Sequence, residues 1–241
     1  MIFILRGPFW PLGLLTMKLP CLIPVRGGST RLPRKWELPW DGQSLLHHTI
    51  LRVIETPSVE RIIVSSDSEE ILEHARLIGP GVELLLEPTI PNEPGSIVKT
   101  IARVRRMCKL TASYLMLVQC TSPFVNPADL EHLVEYAFEK TGPRAYEVFH
   151  TSHESQTDQS KLSDEFFTCG VNGRESFRVG CEYAPSGMGY IFGPKAHWPT
   201  GQRHAALQQA PKVDIDTMAD YEAALKLRSD WKGYGMDKHA S

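Results

Sequence analysis

The sequence predicts a three-layer α/β fold, a mainly parallel sheet with helices on both faces. Three observations carry this. Apolar runs and helical stripes alternate along the first 140 residues as strand, helix, strand, helix, strand, helix, strand, helix. Such alternation requires right-handed crossovers and lays the strands parallel between two layers of helices. The runs are rich in Leu, Ile and Val, as strands covered on both faces should be. Finally, 241 residues with 42% hydrophobic side chains have room for one large domain and a proper core.

Each element has its own justification, in order. Residues 1–16 are apolar, but Arg6, Pro8 and Pro11 interrupt them and no small-residue cleavage site follows. They are also too short to span a bilayer. With Met17 just before the first convincing strand, they are expected to be either an N-terminal extension or the product of a misplaced start. Residues 18–25 (KLPCLIPV) read as a buried strand closed by Gly27 and Gly28. A polar, proline-punctuated loop runs to Gln43. Ser44 then caps a helix in which Leu45, Leu46, Thr49, Ile50, Val53 and Ile54 recur at helical spacing, and Pro57 ends it. A second strand covers 61–67. A second helix covers 66–78, with Ile71, Leu72, Ala75 and Ile78 on one face and Gly79-Pro80-Gly81 as its stop. Residues 82–86 are the third strand.

After a proline-rich loop at 88–95, Ile97, Ile101, Val104 and Cys108 form a helical stripe, with Arg103, Arg105 and Arg106 expected on its solvated side. The fourth strand is 114–119. Asn126 as cap and Pro127 at the first helical position start a helix whose inward side is Leu130, Leu133, Val134, Ala137 and Phe138. From residue 150 the rhythm breaks, and an excursion from the sheet is expected over 150–187. Residues 189–192 (GYIF) and 212–215 (KVDI) resume strand character. Thr217 with Asp220 makes a capping-box-like start for a last helix with Tyr221, Ala224, Leu225 and Leu227 on its apolar side. Residues 232–241 read as a frayed tail, which leaves one domain over 17–231.

Composition excludes several functions. Twenty-six Lys and Arg against 28 Asp and Glu give a net charge of −2, with no surplus of cations for a phosphate backbone. Five cysteines, an odd number without a CxxC pair, suit neither a disulfide framework nor a zinc knuckle, and point to a reducing compartment.

In an open α/β sheet, ligands bind beyond the carboxyl ends of strands. Three such segments stand out. In PVRGGSTRLPRK (24–35), two glycines let the backbone fold so that its amides point at phosphate oxygens, and Arg26, Arg31, Arg34 and Lys35 add cations. A bare glycine turn with solvated charges is the plainer alternative, but the position directly after the first strand favours anion binding. In QCTSPF (119–124), Gln119, Thr121 and Ser122 offer hydrogen bonds at a turn fixed by Pro123. In VDID (213–216), Asp214 and Asp216 project to the same side of an extended segment, as two carboxylates sharing one hard cation must. The alternative is that Asp216 merely caps the next helix. His150 and His153 read as surface histidines, Cys169 and Cys181 as small buried hydrophobes, and Ser65-Ser66-Asp67 as either ligand contacts or a cap.

Together and in this order, these segments resemble the acylneuraminate cytidylyltransferase (CMP-sialic acid synthetase) family over roughly residues 19–227. The most specific parts are PVRGGSTRLPRK, RIIVSSDSEEI (61–71), VQCTSP (118–123) and VDIDTMAD (213–220). The resemblance implies a Rossmann-like nucleotidyltransferase sheet whose excursion makes a homodimer contact. It implies transfer of CMP from CTP to the anomeric hydroxyl of an acidic nonulosonate, with release of pyrophosphate, in the cytoplasm and without nucleic-acid or membrane partners. By position, Arg26, Gly27, Gly28, Ser29, Arg31 and Lys35 would bind the nucleotide, and Gln119, Thr121 and Ser122 the sugar. Asp214 and Asp216 would hold Mg2+, and with Arg26 and Lys35 would form the catalytic set.

The chain departs from the family pattern at Thr30, where a Lys usually follows Ser29, and at Trp36, where an Asn usually follows Lys35. It has Glu87 rather than Arg before Pro88, and Phe124-Val125 where an Arg commonly follows Thr-Ser-Pro. These departures keep open a nucleotidyltransferase of the same fold with another base or sugar, or a catalytically inactive nucleotide-binding homologue.

Overall fold

The computed structural model describes residues 18–79, 81–87, 96–111, 113–139, 148–154, 168–171, 174–177, 183–195, 203–207 and 210–231. The N-terminal extension, the 88–95 loop, Pro80, Cys181 and the tail lie outside them. The first half of the chain contains β1 (Leu19–Val25), β2 (Pro39–Trp40), β3 (Gln43–Ser44), α1 (Leu45–Ile54), β4 (Val59–Ser66), α2 (Glu69–Arg76), β5 (Val82–Leu86) and α3 (Ser96–Met107). The second half contains β6 (Leu115–Val118), α4 (Pro127–Glu139), β7 (Val148–Glu154), β8 (Thr168–Val171), β9 (Arg174–Phe177), β10 (Tyr183–Phe192), β11 (Arg203–Leu207) and α5 (Met218–Asp230).

Seven strands form one sheet in the order β11-β7-β10-β6-β1-β4-β5. β1 pairs in parallel with β4 and β6, β4 with β5, and β11 with β7, while β10 alone runs antiparallel to its neighbours. The mainly parallel sheet is therefore as expected. Strand alternation sends side chains to both faces even in a continuous apolar run. On one face Cys21, Ile23 and Val25 join Ile50 of α1, Ile71 of α2 and Leu133 of α4 in one core cluster. On the other, Leu22, Ile63 and Leu117 pack with Ile101 and Val104 of α3.

Local chemistry starts and stops these elements as the residues dictate. Ser44 Oγ accepts from the His47 amide at 3.1 Å, and Asn126 Oδ1 from the Asp129 amide at 2.9 Å, so both caps hold. Asp41 and Gly42 both have positive φ and close the β2–β3 hairpin. α2 begins at Glu69, later than the expected residue 66, because Ser65 and Ser66 are still paired in β4.

Four expectations are corrected. Residues 148–154 are no excursion but a strand of the main sheet between β10 and β11. The segment VFHTSHE lacks an apolar run, and its strand state comes from long-range pairing rather than from local pattern. Of the described residues in the 150–187 stretch, only β8 and β9 stand apart, as a separate two-stranded sheet. Residues 212–215 join no ladder, and Ile215 instead donates its amide to Thr121 O at 2.8 Å, while the last strand is Arg203–Leu207. Arg105 is not solvated: it is 8% exposed and donates to Phe192 O at 3.1 Å, Gly193 O at 2.8 Å and Pro194 O. In α5 only Ala224 is buried, and Leu225 and Leu227 are exposed.

Candidate active site

The chain runs from β1 to β4 and β5 on one side, then returns to β6 on the other side of β1. A crevice opens at such a reversal, at the carboxyl ends of the strands. Here it is a cavity of about 250 Å³ at the exits of β1, β4 and β6.

The loop after β1 forms one wall. The Gly27 amide donates to Asp67 Oδ1 at 2.8 Å, and a Cβ on Gly27 would stand 3.1 Å from Ser68 Cβ. Gly27 therefore lets the β1 exit approach the β4 exit closely, and its amide is committed to Asp67 rather than to a ligand. It does not line the cavity, whereas Arg26, Gly28, Ser29, Thr30, Arg31 and Lys35 do. Gly28 has open space around it. Arg34 leaves the site: its guanidinium holds Glu70 at 2.6 Å and Glu37 at 2.6 Å and lies 5.4 Å from the Trp36 ring. Trp36 lines the cavity while nearly fully buried, edge-on to His74 with centroids 5.0 Å apart.

The segment before α5 forms the facing wall. Thr217, not Asp216, is the cap: its hydroxyl accepts from the Asp220 amide, and Asp220 Oδ2 accepts from the Thr217 amide at 2.7 Å. Asp216 is thereby left for the cavity, where Arg31 Nη2 meets its Oδ2 at 2.8 Å and Lys35 Nζ its Oδ1 at 3.1 Å. Lys35 also donates to Ile215 O at 3.2 Å, so it ties the first loop to this segment. Asp214 lines the same cavity. Two carboxylates beside the cations of Arg31 and Lys35 have the chemistry of a site for a hard ion such as Mg2+, which takes one or two carboxylates and completes its shell with other oxygens. Among the described residues no group of three or more His, Cys, Asp or Glu gathers.

The turn after β6 completes the site. Gln119, Cys120 and Thr121 line the cavity, and the bond from Ile215 to Thr121 sets them beside Asp214 and Asp216. Burial pushes the Cys120 thiol up to about 11, so it stays protonated. Ser122 is excluded: it is 3% exposed, its hydroxyl has no partner among the described residues, and it lies outside the lining. Phe124 and Val125 are core residues, the Phe124 ring standing edge-on to Trp40 and Trp231. His150 and His153 fall on β7.

Sequence reasoning left Ser65 undecided and missed Ile97 and Thr100. All three line the cavity. Ser65 Oγ donates to Glu87 Oε1 at 3.0 Å, and Glu87 Oε2 pairs with Arg103 Nε at 3.3 Å. The position of Ser65 at a strand exit was the available signal; Thr100, inside a helix, had none.

No helix among the described residues is long and apolar enough to cross a membrane. A family model described as cytidylyltransferase matches residues 20–165. The CMP-N,N'-diacetyllegionaminic acid synthase of Legionella pneumophila is 32% identical over 123 residues, 49% of this chain and 53% of that protein. The chain thus spans about half the length of that relative. The pseudaminic acid cytidylyltransferase of Campylobacter jejuni strain 81-176 is 24% identical over 229 residues, covering 86% of this chain and 95% of that one. Among solved structures, a CMP:2-keto-3-deoxy-manno-octonic acid synthetase complexed with CTP superposes with a TM-score of 0.62 at 18% identity, over 88% of this chain and 99% of the other.

Proposed function

The chain belongs to the cytidylyltransferase family, and from that premise we propose that it transfers CMP from CTP to the anomeric hydroxyl of an acidic nonulosonate, releasing pyrophosphate. One observation carries the proposal: a switch-point cavity gathers Arg26, Arg31 and Lys35 with Asp214, Asp216, Gln119 and Thr121 from three distant segments. Cations and carboxylates at one end suit a metal–triphosphate, and neutral hydrogen-bonding groups suit a polyol. The names of the relatives, a legionaminic and a pseudaminic acid enzyme, support an acidic sugar as acceptor.

In the proposed reaction the anomeric oxygen attacks the α-phosphorus and forms a new P–O bond. The bond from that phosphorus to the bridging oxygen breaks, pyrophosphate leaves with the electron pair, and the hydroxyl proton passes to solvent. No covalent intermediate on the protein is needed. The protein positions the reactants and stabilises charge. Arg26, Arg31 and Lys35 hold the triphosphate and the charge that grows on the leaving pyrophosphate, with Gly28 and Ser29 at the loop backbone. Gln119 and Thr121 orient the sugar. Asp214 and Asp216 would hold Mg2+, which when bound neutralises phosphate oxygens. We further propose a homodimer through the β8–β9 segment, whose two strands form a sheet of their own, and a cytoplasmic setting, in keeping with the unbridged thiols of Cys21, Cys108 and Cys120.

A second reading, a nucleotide-binding homologue without catalysis, draws on Asp216 being engaged by Arg31 and Lys35. Pyrophosphate release with each of four nucleoside triphosphates and a panel of nonulosonates, with and without Mg2+, separates the two. Release with CTP and one acid sugar, and its loss in Asp216→Ala with unchanged thermal unfolding, is the expected result. Full activity of that variant at saturating Mg2+ would remove the metal assignment, and silence with nucleotide binding retained would favour the second reading.

A further inference from the structure

We infer that Ser65 selects the base of the nucleotide, because its hydroxyl donates to Glu87 and the oxygen is left able only to accept from a ligand. The inference rests on the cytidylyltransferase reading and assigns a specificity residue within it. The cavity lining is of two chemical kinds. Arg26, Arg31 and Lys35 are cations, while Pro24 and Ser65 at the ends of β1 and β4 and Ile97 and Thr100 of α3 are the uncharged part that the described residues give to the α3 side. A triphosphate belongs with the cations, which leaves the uncharged residues for a flat, uncharged ring.

Ser65 is 2% exposed and lies opposite Pro24 in the β1–β4 register. Ile63, two residues earlier on the strand, packs with α3, so Ser65 shares that face. Glu87 leaves β5 alongside it, with its amide donating to Ser66 O at 2.7 Å. The carboxylate is buried between Ser65 Oγ at 3.0 Å and the Arg103 guanidinium at 3.3 Å. A guanidinium only donates and an ionised carboxylate only accepts. The bond between Ser65 and Glu87 therefore has one polarity, with the hydroxyl proton pointing at the carboxylate. A hydroxyl has a single proton, so Ser65 meets the cavity with lone pairs. An amino group on the ring, as cytosine carries, satisfies them, whereas the carbonyl at the same position of uracil sets oxygen against oxygen and loses the bond. Glu87 acts as the positioning residue in this arrangement, and Ser65 as the reader.

The test measures Kd for CTP and UTP by calorimetry with Mg2+ present, on the full chain and two variants. The wild type is expected to bind CTP about tenfold more tightly than UTP, the effect of one hydrogen bond made or lost. Ser65→Ala should bring the ratio near one by weakening CTP alone. In Glu87→Gln, Arg103 attracts the amide oxygen, so the NH2 faces Ser65 and the serine proton turns into the cavity; UTP should then gain and the ratio fall to one or below. Should Glu87→Gln fail to unfold cooperatively, Ser65→Ala decides alone. A Ser65→Ala protein that loses CTP and UTP equally, or keeps the wild-type ratio, overturns the inference while leaving the reading intact. Equal wild-type affinities for CTP and UTP overturn it as well. A wild type that binds no nucleotide overturns the cytidylyltransferase reading itself, and the inference with it.

Discussion

Two neighbouring glycines in the loop after β1 do different work. At Gly27 a methyl group would press on Ser68 Cβ at 3.1 Å, where β1 and β4 exits are joined by the Gly27–Asp67 bond. At Gly28 nothing lies within 4 Å. Gly27→Ala is expected to lower unfolding stability by about 1 kcal/mol through this overpacking, and Gly28→Ala to leave it within about 0.5 kcal/mol. Urea melts of the two variants check this, and equal losses would show that the close approach is not what requires glycine. The pair was legible in the sequence as a loop signal, but which glycine was needed was not, because the crowding atom belongs to Ser68, far along the chain. The same holds at Asp216. Its spacing from Asp214 marked it as a candidate ligand, yet only the fold showed that Thr217 and Asp220 take over the capping role and leave Asp216 to Arg31 and Lys35.

Helices here are held by a few buried polar contacts as well as by apolar stripes. On α3, Arg105 was predicted to be solvated with Arg103 and Arg106, although it stands four residues after Ile101 at the edge of the Ile97–Ile101–Val104 stripe. Its guanidinium instead supplies the carbonyls at the end of β10, and burial lowers its proton affinity. Arg105→Met should cost about 2–4 kcal/mol, since buried carbonyls lose a charged donor, whereas the exposed Arg106→Met should change stability by less than about 0.5 kcal/mol. Chemical denaturation of both variants tests the contrast. On α1, His48 is buried against Trp40, and desolvation, aided by the positive charge of Arg52, pushes its imidazole down from 6.5 to about 4. A histidine depressed in the folded state contributes stability that is fully present above pH 6.5, falls as the pH drops because the unfolded chain takes up the proton, and is gone below about pH 4. At 1.36 kcal/mol per unit the loss across that window is about 3 kcal/mol. His48→Leu, which cannot titrate, should lose less stability than wild type between pH 7 and pH 4.5; parallel losses in the two proteins would assign the acid sensitivity to other groups.

For the molecule as a whole, the expected assembly is a homodimer, giving twice the 27.1 kDa chain mass in sedimentation equilibrium. Substituting the β8–β9 strands with a short Gly-Ser linker should then leave a monomer, and a monomeric wild type would end the dimer proposal. By itself the sequence determined the α/β class, the alternation of main-sheet strands and helices through residue 139 though not the β2–β3 hairpin, the caps at Ser44, Asn126 and Thr217, and the three polar segments that meet at the cavity. These are written in local periodicity, in capping residues and in the residues that follow each apolar run, all of which act over a few positions. Only the tertiary structure decided that 148–154 joins the sheet, that 212–215 does not, that Arg105 and Glu87 are buried, that Ser122 is buried outside the cavity lining, and that Lys35 reaches Asp216 181 residues later. The reason is physical: a strand with little apolar patterning, a buried charge and a cross-chain ion pair all take their stability from partners brought together by folding, and such partners leave no periodic mark in the segment that carries them.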